Sequence, residues 1–384
     1  MEEEDPNRLL QTYVDLTYSR LDAQKTLQSQ DVEIDLKTGY WTQTDQIIDS
    51  YIDQWLLEQS KYHISILGDF GTGKTSFCRH YTYKLMQRCK DDPTTRIPLL
   101  IPLKYFSELG RERSVRAIVT DYLVNEYKVT TNYETLERLI KAGKILFLLD
   151  GYDEMAMKVD TSTRKNNFDT LAELANIPNN MVLLTGRPGY FPTLTEIAQT
   201  FGHEPPPSDV YEQMDKLLES KISGELPVYE IVQLNPFSPK QIDSFLQKQS
   251  ERLKQEGVSD WNTLKQTIQS MPELQELSTR PVLLWMMVEG LPILLKEIKE
   301  VRDINLARVY QSFTNKWLIR DWDKGEVRRL VSTQERRDFM KALACEMHRT
   351  TGKHEIHHND LKEKIRQWKG FKIEREIVIA QPTP

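Results

Sequence analysis

Short apolar runs alternate with helical segments through the middle of the chain. Five of the runs predict strands: His63–Leu67, Ile97–Leu103, Ile145–Leu149, Met181–Leu184 and Tyr229–Leu234. Between the second and third runs, Ser114–Tyr127 carries apolar side chains on one helical stripe, namely Val115, Ile118, Val119, Tyr122 and Leu123. Strands that alternate with helices in this way predict an α/β fold, with a parallel sheet covered by helices on both faces.

Two flanking features refine this prediction. The run Ile97–Leu103 contains Pro98 and Pro102, and a central strand does not tolerate proline, so we predict an edge strand there. The first sixty or so residues predict a polar and mostly helical lead-in. Its second half has apolar side chains at helical spacing, which are Ile47, Ile48, Tyr51, Ile52, Trp55 and Leu56.

After Asn235 the strand pattern stops and helical patterns follow. Ser238 and Pro239 are a good N-cap and first-turn pair, and they predict a helix to about Glu256. Further helices are predicted to begin at Pro281 and to cover Asn305–Trp322, Gln334–Thr350 and His358–Trp368, with a strand at Phe371–Ala380. We therefore predict four regions: a lead-in (1–40), an α/β domain (41–235), a helical domain (236–300) and an incomplete winged-helix-like region (301–384).

Composition excludes several classes of protein. Among 384 residues, 57 acidic side chains outnumber 51 Lys and Arg for a net charge of −6, so we expect no direct nucleic-acid binding. Three cysteines are too few for a disulfide framework, and Met1-Glu-Glu-Glu-Asp5 is unlike a secretory signal. The most apolar stretch, Val282–Leu295, is too short to span a bilayer. These features predict a cytoplasmic protein without a membrane span.

The strongest chemical motif is Gly68-Asp-Phe-Gly-Thr-Gly-Lys-Thr75, which has the spacing of a phosphate-binding loop. An apolar strand precedes it and a helix, predicted from Ser76 to about Arg88, follows it. Glycines let backbone N–H groups turn inward towards phosphate oxygens, and the helix N-terminus favours negative charge. Lys74 is predicted to bridge the β- and γ-phosphates, and the Thr75 hydroxyl to bind Mg²⁺. The predicted binding positions are Gly68, Asp69, Phe70, Gly71, Thr72, Gly73, Lys74, Thr75 and Ser76.

Charged residues follow two of the predicted strands. Asp150 ends one strand and is a candidate ligand for Mg²⁺ and its waters, while Asp153 and Glu154 come directly after it. Either of the latter two carboxylates can polarise an attacking water. Arg187 follows the strand that ends near Thr185, and its guanidinium suits the recognition of a γ-phosphate. By contrast, His354, His357 and His358 have no cysteine nearby and lie among charged residues, so we interpret them as surface rather than as a metal site.

Gly68–Thr75, Asp150-Gly-Tyr-Asp-Glu154 and Thr185-Gly-Arg-Pro188 together resemble the NACHT family of STAND signal-transduction NTPases, which are relatives of AAA+ ATPases. A Gly after the first Asp, with acidic residues two and three positions further on, is specific to that family. Ordinary AAA+ proteins place Glu directly after the Asp. The amino-acid sequence of the Gly68–Thr75 motif resembles that of bacterial members more than that of animal ones.

The resemblance covers about residues 40–380 and implies more than the residues alone indicate. It implies a five-stranded AAA+-like core, ATP and ADP with Mg²⁺ as ligands, and Pro281 against the adenine. It also implies a slow ATPase that acts as a switch, oligomerises under nucleotide control and takes part in immune or antiviral signalling. A family histidine beyond the winged helix, in a stretch resembling Phe-x-His-x-Ser-Phe-x-Glu-Phe, is missing from this chain. Effector and sensor regions are missing too, so we expect the chain to be part of a longer protein.

Two alternatives remain open from the sequence. One is an AAA+-type turnover ATPase, which needs an arginine from a neighbouring subunit that no motif here identifies. The other is a scaffold that binds nucleotide without hydrolysing it, in which Asp153 and Glu154 have no effect on nucleotide state.

Overall fold

The computed structural model describes the greater part of the chain. The described residues are 6–21, 41–58, 63–104, 119–120, 122–124, 128, 133–157, 171, 174–175, 177, 179–187, 229–250, 254, 261–297, 306–322 and 332–350. The predicted helix at 114–127 therefore lies largely outside them. The predicted helix and strand at 358–380, and the histidines at 354, 357 and 358, lie wholly outside them.

Seven strands form one sheet. In chain order they are β1 (Thr17–Leu21), β2 (Trp41–Ile47), β3 (His63–Leu67), β4 (Ile97–Pro102), β5 (Ile145–Asp150), β6 (Met181–Gly186) and β7 (Tyr229–Leu234). Their spatial order is β2-β1-β7-β3-β6-β5-β4. The five strands predicted from apolar runs, β3 to β7, are all parallel to one another. The α/β fold and its parallel core are therefore confirmed.

β4 is the edge strand, as its prolines predicted. It pairs only with β5 among the described strands, with Pro98 opposite Leu146 and Pro102 opposite Asp150. A proline has no N–H to donate to a ladder, so a strand with two of them can have a neighbour on one side only.

The sheet has seven strands rather than five, because the lead-in, which the sequence predicted to be mostly helical, contributes two strands as well as helices at Pro6–Thr12 and Ile48–Glu58. β1 and β2 form an antiparallel pair, and β1 lies antiparallel to β7 with Tyr18 opposite Leu234. Tyr18 is fully buried, and the Ser19 hydroxyl donates to the Asn235 side chain over 2.5 Å. The contacts between β1 and β7 join residues more than 200 positions apart, so the helical pattern of nearby residues could not indicate them.

Eleven helices are described in full. They are α1 (Pro6–Thr12), α2 (Ile48–Glu58), α3 (Lys74–Asp91), α4 (Tyr133–Lys141), α5 (Tyr152–Met157), α6 (Pro239–Lys248), α7 (Trp261–Gln269), α8 (Pro272–Ser278), α9 (Pro281–Glu297), α10 (Leu306–Trp322) and α11 (Thr333–Thr350). The predicted starts at Pro239 and Pro281 are confirmed. The Ser238 side chain caps α6, and Gln241 completes a reciprocal capping box. α6 ends at Lys248, earlier than the predicted Glu256.

The core lies on both faces of the parallel strands. β5 and β6 are buried along their whole length. α3 buries Phe77, Tyr81 and Leu85 against the sheet, and α2 buries the predicted apolar stripe apart from its ends. Burial on both faces explains why these strands are continuous apolar runs rather than alternating ones.

The segment before β1 contacts the elements that will form the site. The Tyr13 ring stacks on His80 of α3 with 3.8 Å between ring centroids. The Tyr13 carbonyl accepts a hydrogen bond from Lys248, and the Asp15 carbonyl accepts one from Gln241 over 2.7 Å. We call residues 9–16 the N-terminal strap, because they tie α3 to α6.

The chain divides into two compact units, residues 1–288 and 289–384. In the second unit, Gly290 allows close packing, because a Cβ there would lie 3.2 Å from the Val309 carbonyl oxygen and the Phe313 nitrogen. Beside it, Lys316 forms an ion pair of 3.0 Å with the buried Glu289. Among the helices that the structure describes, none has both the length and the apolar composition needed to cross a bilayer.

Candidate functional site

The loop Gly68–Gly73 joins the end of β3 to the start of α3. Gly71 and Gly73 have φ of 82° and 100°, a left-handed conformation that glycine adopts at little cost. Gly73 is the N-cap of α3, and it has no side chain with which to cap the first amides of this helix. The first turn of an 18-residue helix therefore presents its N–H groups and its positive end at this loop.

Lys74 lies over its own loop. Its ammonium donates to the carbonyl of Gly68 and, over 3.2 Å, to that of Asp69. Burial lowers the pKa of Lys74 and Arg187 lowers it further, whereas Asp153 and Asp150 oppose the shift. The Lys74 ammonium thus lies among the Asp150 and Asp153 carboxylates and the Gly68 and Asp69 carbonyls, at the edge of the sheet where the parallel strands end.

Asp150 ends β5 and is only 8% exposed. Its Oδ1 accepts a hydrogen bond of 2.6 Å from the Thr185 hydroxyl, which in turn accepts one of 2.9 Å from the Gly151 N–H. The buried thiol of Cys78 on α3 also lies against this carboxylate, and its pKa is raised chiefly by burial and then by Asp150. The carboxylate is therefore held from β6 and from α3.

Asp153 and Glu154 have different surroundings, although from the sequence either was a candidate for polarising the attacking water. Asp153 is 2% exposed and forms an ion pair of 2.6 Å with Arg187. Burial raises the pKa of Asp153, while Lys74 and Arg187 oppose that rise. Glu154 is exposed, with its side chain folded beside Gly151. Glu154 is thus the carboxylate open to water, and Asp153 is the one engaged with a cation.

Gly151 explains how three acidic residues reach this edge. Its φ of 85° turns the chain sharply after Asp150, and its carbonyl accepts hydrogen bonds from the amides of Glu154 and Met155. α5 therefore begins at once and returns Asp153 to the end of β5.

The end of β6 contacts each part of the site. Thr185 binds Asp150, the Gly186 carbonyl accepts the Gly68 N–H over 3.1 Å, and Arg187 pairs with Asp153. The Arg187 guanidinium also lies 5.6 Å from the ring centroid of Phe70, which is 56% exposed on the loop. The structure thus brings together Lys74, Asp150, Asp153 and Arg187, as the sequence predicted.

The start of α9 lies against the same loop. The Val282 N–H donates to the Gly71 carbonyl over 3.2 Å, and a Cβ on Gly71 would lie only 2.1 Å from Val282 Cγ1. Pro281 lies beside Gly73, at 3.9 Å from the Cβ position of that glycine, and Leu16 of the strap lies at 3.2 Å. The family resemblance implied Pro281, but nothing in the sequence indicated Leu16 or Val282, because no local motif marks a hydrophobic side chain that packs on a loop far along the chain.

The remaining predicted positions lie in the loop or in the first turn of α3. The Thr72 hydroxyl donates to the Asp69 carbonyl over 3.0 Å and stiffens the loop. Thr75 and Ser76 follow Lys74 and are partly exposed.

The residues present fit a phosphate group with a divalent cation. Uncapped helix amides and an ammonium suit phosphate oxygens, whereas a hydroxyl at Thr75 and a carboxylate at Asp150 are the oxygen ligands that Mg²⁺ prefers. Gly68 leaves no room for a side chain, because a Cβ there would lie 2.4 Å from the Thr72 hydroxyl oxygen. The tight loop therefore depends on glycine at the positions where the motif has it.

A family model described as the NACHT domain matches residues 62–252. This range contains β3 to β7, the loop Gly68–Gly73, and the charged residues of the site, which are Lys74, Asp150, Asp153, Glu154 and Arg187. Residues 62–252 form a NACHT domain. The family resemblance drawn from the three motifs is therefore confirmed.

A WD repeat-containing protein of Nostoc sp. strain PCC 7120 is 32% identical over 337 residues, which are 86% of this chain. The same match covers 20% of the Nostoc protein, so the chain spans about a fifth of that relative's length.

Two solved structures are similar at low identity. A Walker-type ATPase of Pyrococcus abyssi is 14% identical with a TM-score of 0.39, over 83% of this chain and 88% of its own. The ORC2 protein of Aeropyrum pernix is 11% identical with a TM-score of 0.41, over 83% of this chain and 77% of its own.

Proposed function

We propose that the NACHT domain binds ATP and ADP with Mg²⁺, hydrolyses ATP slowly, and acts as the nucleotide-operated switch of a larger signalling protein. The observation that carries this proposal is the meeting of Lys74, Asp150, Asp153 and Arg187 beside a glycine loop that opens a long helix. Structural sites rarely collect buried charges of both signs beside uncapped helix amides, since each buried charge costs free energy.

The side chains have separate proposed roles. Lys74 would exchange the carbonyls of Gly68 and Asp69 for phosphate oxygens. Thr75 and Asp150 would hold Mg²⁺, which screens the negative charge of the phosphates when bound. Glu154, the exposed carboxylate, would orient the attacking water. Arg187 would leave Asp153 for a γ-phosphate, so that its position depends on which nucleotide is present.

Two contacts support a switch rather than a simple binding site. Val282 at the start of α9 contacts the loop at Gly71, and Leu16 of the strap contacts it near Gly73. A change of loop conformation on nucleotide binding would therefore directly alter the contacts of the loop with the strap and with α9.

The wider role rests on the family and on the WD-repeat relative. We propose that effector and sensor regions, the latter made of WD repeats, belong to the same larger protein, and that the ATP form self-associates. We also propose a cytoplasmic role in defence signalling, and the family resemblance supports it.

The first experiment identifies the nucleotide that the purified chain carries. Denaturing the protein and separating the released nucleotides by chromatography should yield close to one ADP per chain. An empty protein that turns over added ATP rapidly would favour the AAA+-type turnover ATPase. Bound nucleotide that is never hydrolysed would favour the scaffold.

The second experiment tests the assigned site. Lys74→Ala should weaken ATP and ADP binding by about 10- to 100-fold in calorimetry, because a charge-assisted hydrogen bond contributes about 1.5–3 kcal/mol. Lys90→Ala removes an exposed lysine from the far end of the same helix and should leave the affinity unchanged. Equal affinities in the two variants would refute the assignment.

A further inference from the structure

The Thr185 hydroxyl is fully buried and hydrogen-bonded on both sides. The Gly151 N–H can only donate, so it must use a lone pair of the hydroxyl oxygen over 2.9 Å. The hydroxyl proton is then directed at Asp150 Oδ1, 2.6 Å away. This pair of bonds fixes the direction of donation and requires Asp150 to act as an acceptor.

The position of Thr185 explains why its hydroxyl reaches two groups at once. β5 and β6 are parallel neighbours, and Thr185 lies one residue beyond Leu184, which pairs with Leu149. The carboxyl ends of the two strands are thus level, and the left-handed turn at Gly151 directs the amide of that residue back at β6. Threonine is well suited here, because a β-branched side chain is rigid in a strand and adds a hydroxyl where valine has a methyl group.

A carboxylate at the end of a strand can rotate about its side-chain bonds unless something holds it. At Asp150 the Thr185 hydroxyl holds one oxygen. Outer contacts of this kind orient metal ligands and typically account for about 10- to 100-fold of metal affinity.

We propose that Thr185 is the positioning residue that sets the Asp150 carboxylate for the divalent cation of the bound nucleotide. This inference rests on the proposed nucleotide function of the same site. Thr185 acts through Asp150 and does not need to touch the nucleotide itself.

The test compares the Mg²⁺-dependent and Mg²⁺-independent parts of ATP affinity. Calorimetric titrations with ATP in EDTA and at a series of Mg²⁺ concentrations are made on the wild-type chain and on Thr185→Val. Valine has nearly the same shape, so the loss of the hydroxyl is the main change. We expect ATP affinity in EDTA within about twofold of wild type, and a gain in affinity from Mg²⁺ that is smaller by about tenfold.

Two controls separate positioning from general damage. Thr185→Ser keeps the hydroxyl and should restore the Mg²⁺ gain to within about threefold of wild type. Ser65→Ala deletes another fully buried hydroxyl, on β3 opposite Leu184, where the Ser65 hydroxyl has no partner among the described residues. It should leave both affinities unchanged.

Three results would overturn the proposal. They are an unchanged Mg²⁺ gain in Thr185→Val, an equal loss of affinity in EDTA and in Mg²⁺, and a Thr185→Ser variant that folds but is as impaired as Thr185→Val. If the wild-type chain binds no nucleotide in either buffer, the proposed function itself fails, and that outcome is distinct because no variant is needed to see it.

Discussion

Neighbouring side chains of one motif in this NACHT domain differ in their burial and in their partners, which the motif itself does not indicate. Asp153 and Glu154 are adjacent and both acidic, yet Asp153 is buried against Arg187 and Glu154 is open to solvent. The difference arises because α5 begins immediately after Gly151, so that successive side chains point about 100° apart around the helix. A candidate water-activating residue can thus be chosen only after the helix start is known.

His63 shows a buried ionisable group with a structural role. It begins β3, and its Nδ1 accepts the Val182 N–H over 3.2 Å. Burial lowers the pKa of His63 to about 4, partly offset by a hydrogen bond with the Ala175 backbone. The imidazole therefore stays neutral in the folded protein under conditions where it would be protonated in an unfolded chain.

This shift predicts acid sensitivity. Between about pH 6.5 and pH 4 the unfolded chain takes up a proton that folded His63 resists, so the free energy of unfolding should fall by about 3 kcal/mol as the pH decreases. Above that range His63 has no effect on the pH dependence. His63→Gln keeps a donor and an acceptor but cannot titrate in this range. Urea unfolding at pH 7.5 and pH 4.5 should show a smaller decrease in the free energy of unfolding for His63→Gln than for the wild type. An equal decrease in the two proteins would contradict the role assigned to His63.

Contacts between elements determine which loop conformation is stable. The loop Gly68–Gly73 is held by the Gly186 carbonyl on one side and by Val282 of α9 on the other. Gly71 meets both requirements of this position, since its φ is 82° and no space remains for a Cβ beside Val282.

A double-mutant cycle tests this contact. Gly71→Ala should destabilise the protein, because the left-handed conformation costs about 1–2 kcal/mol for a residue with a Cβ and the methyl group also overlaps Val282. Val282→Ala removes the overlapping methyl groups, so the double variant should recover about 1–2 kcal/mol of the loss but not the conformational cost. The free energies of unfolding come from urea denaturation. Strictly additive effects would mean that α9 does not pack on the loop.

At the scale of the whole molecule, the chain before β1 is part of the nucleotide-binding unit. The N-terminal strap reaches α3 through Tyr13 and α6 through Lys248 and Gln241, and β1 extends the sheet beyond β7. Leu16 joins these contacts, since it is buried near Gly73 and its carbonyl accepts the Ile48 N–H over 2.9 Å.

Leu16→Ala should therefore lower the free energy of unfolding by about 2–5 kcal/mol, as is usual for a buried leucine. It should also weaken ATP binding, because the loop loses a neighbour near Gly73. The matched control is Leu57→Ala, where the leucine is 83% exposed on α2 and the expected change is within about 0.5 kcal/mol. Equal thermal and chemical stability of the two variants would show that the strap does not support the site.

Several features could be predicted from the sequence because they depend on neighbouring residues. Apolar runs defined β3 to β7, Pro98 and Pro102 predicted the edge at β4, and Ser238-Pro239 predicted the start of α6. The spacing of Gly68–Thr75, and the acidic and basic residues at the ends of β5 and β6, indicated the site before any contact was known. Parallel strands bring their carboxyl ends to one edge, so this grouping needed only the strand assignments.

Other features were decided by tertiary structure. These features join residues that are distant in the chain. They are the addition of β1 and β2 to the sheet, the burial of Leu16 near Gly73, the contact of Val282 with Gly71 and the hydrogen bond from Thr185 to Asp150. No local pattern specifies such pairs, because each residue alone is compatible with several environments. Motif spacing therefore determined which residues make up the candidate site, whereas packing determined how each carboxylate is oriented, which one is exposed, and which distant elements touch the loop.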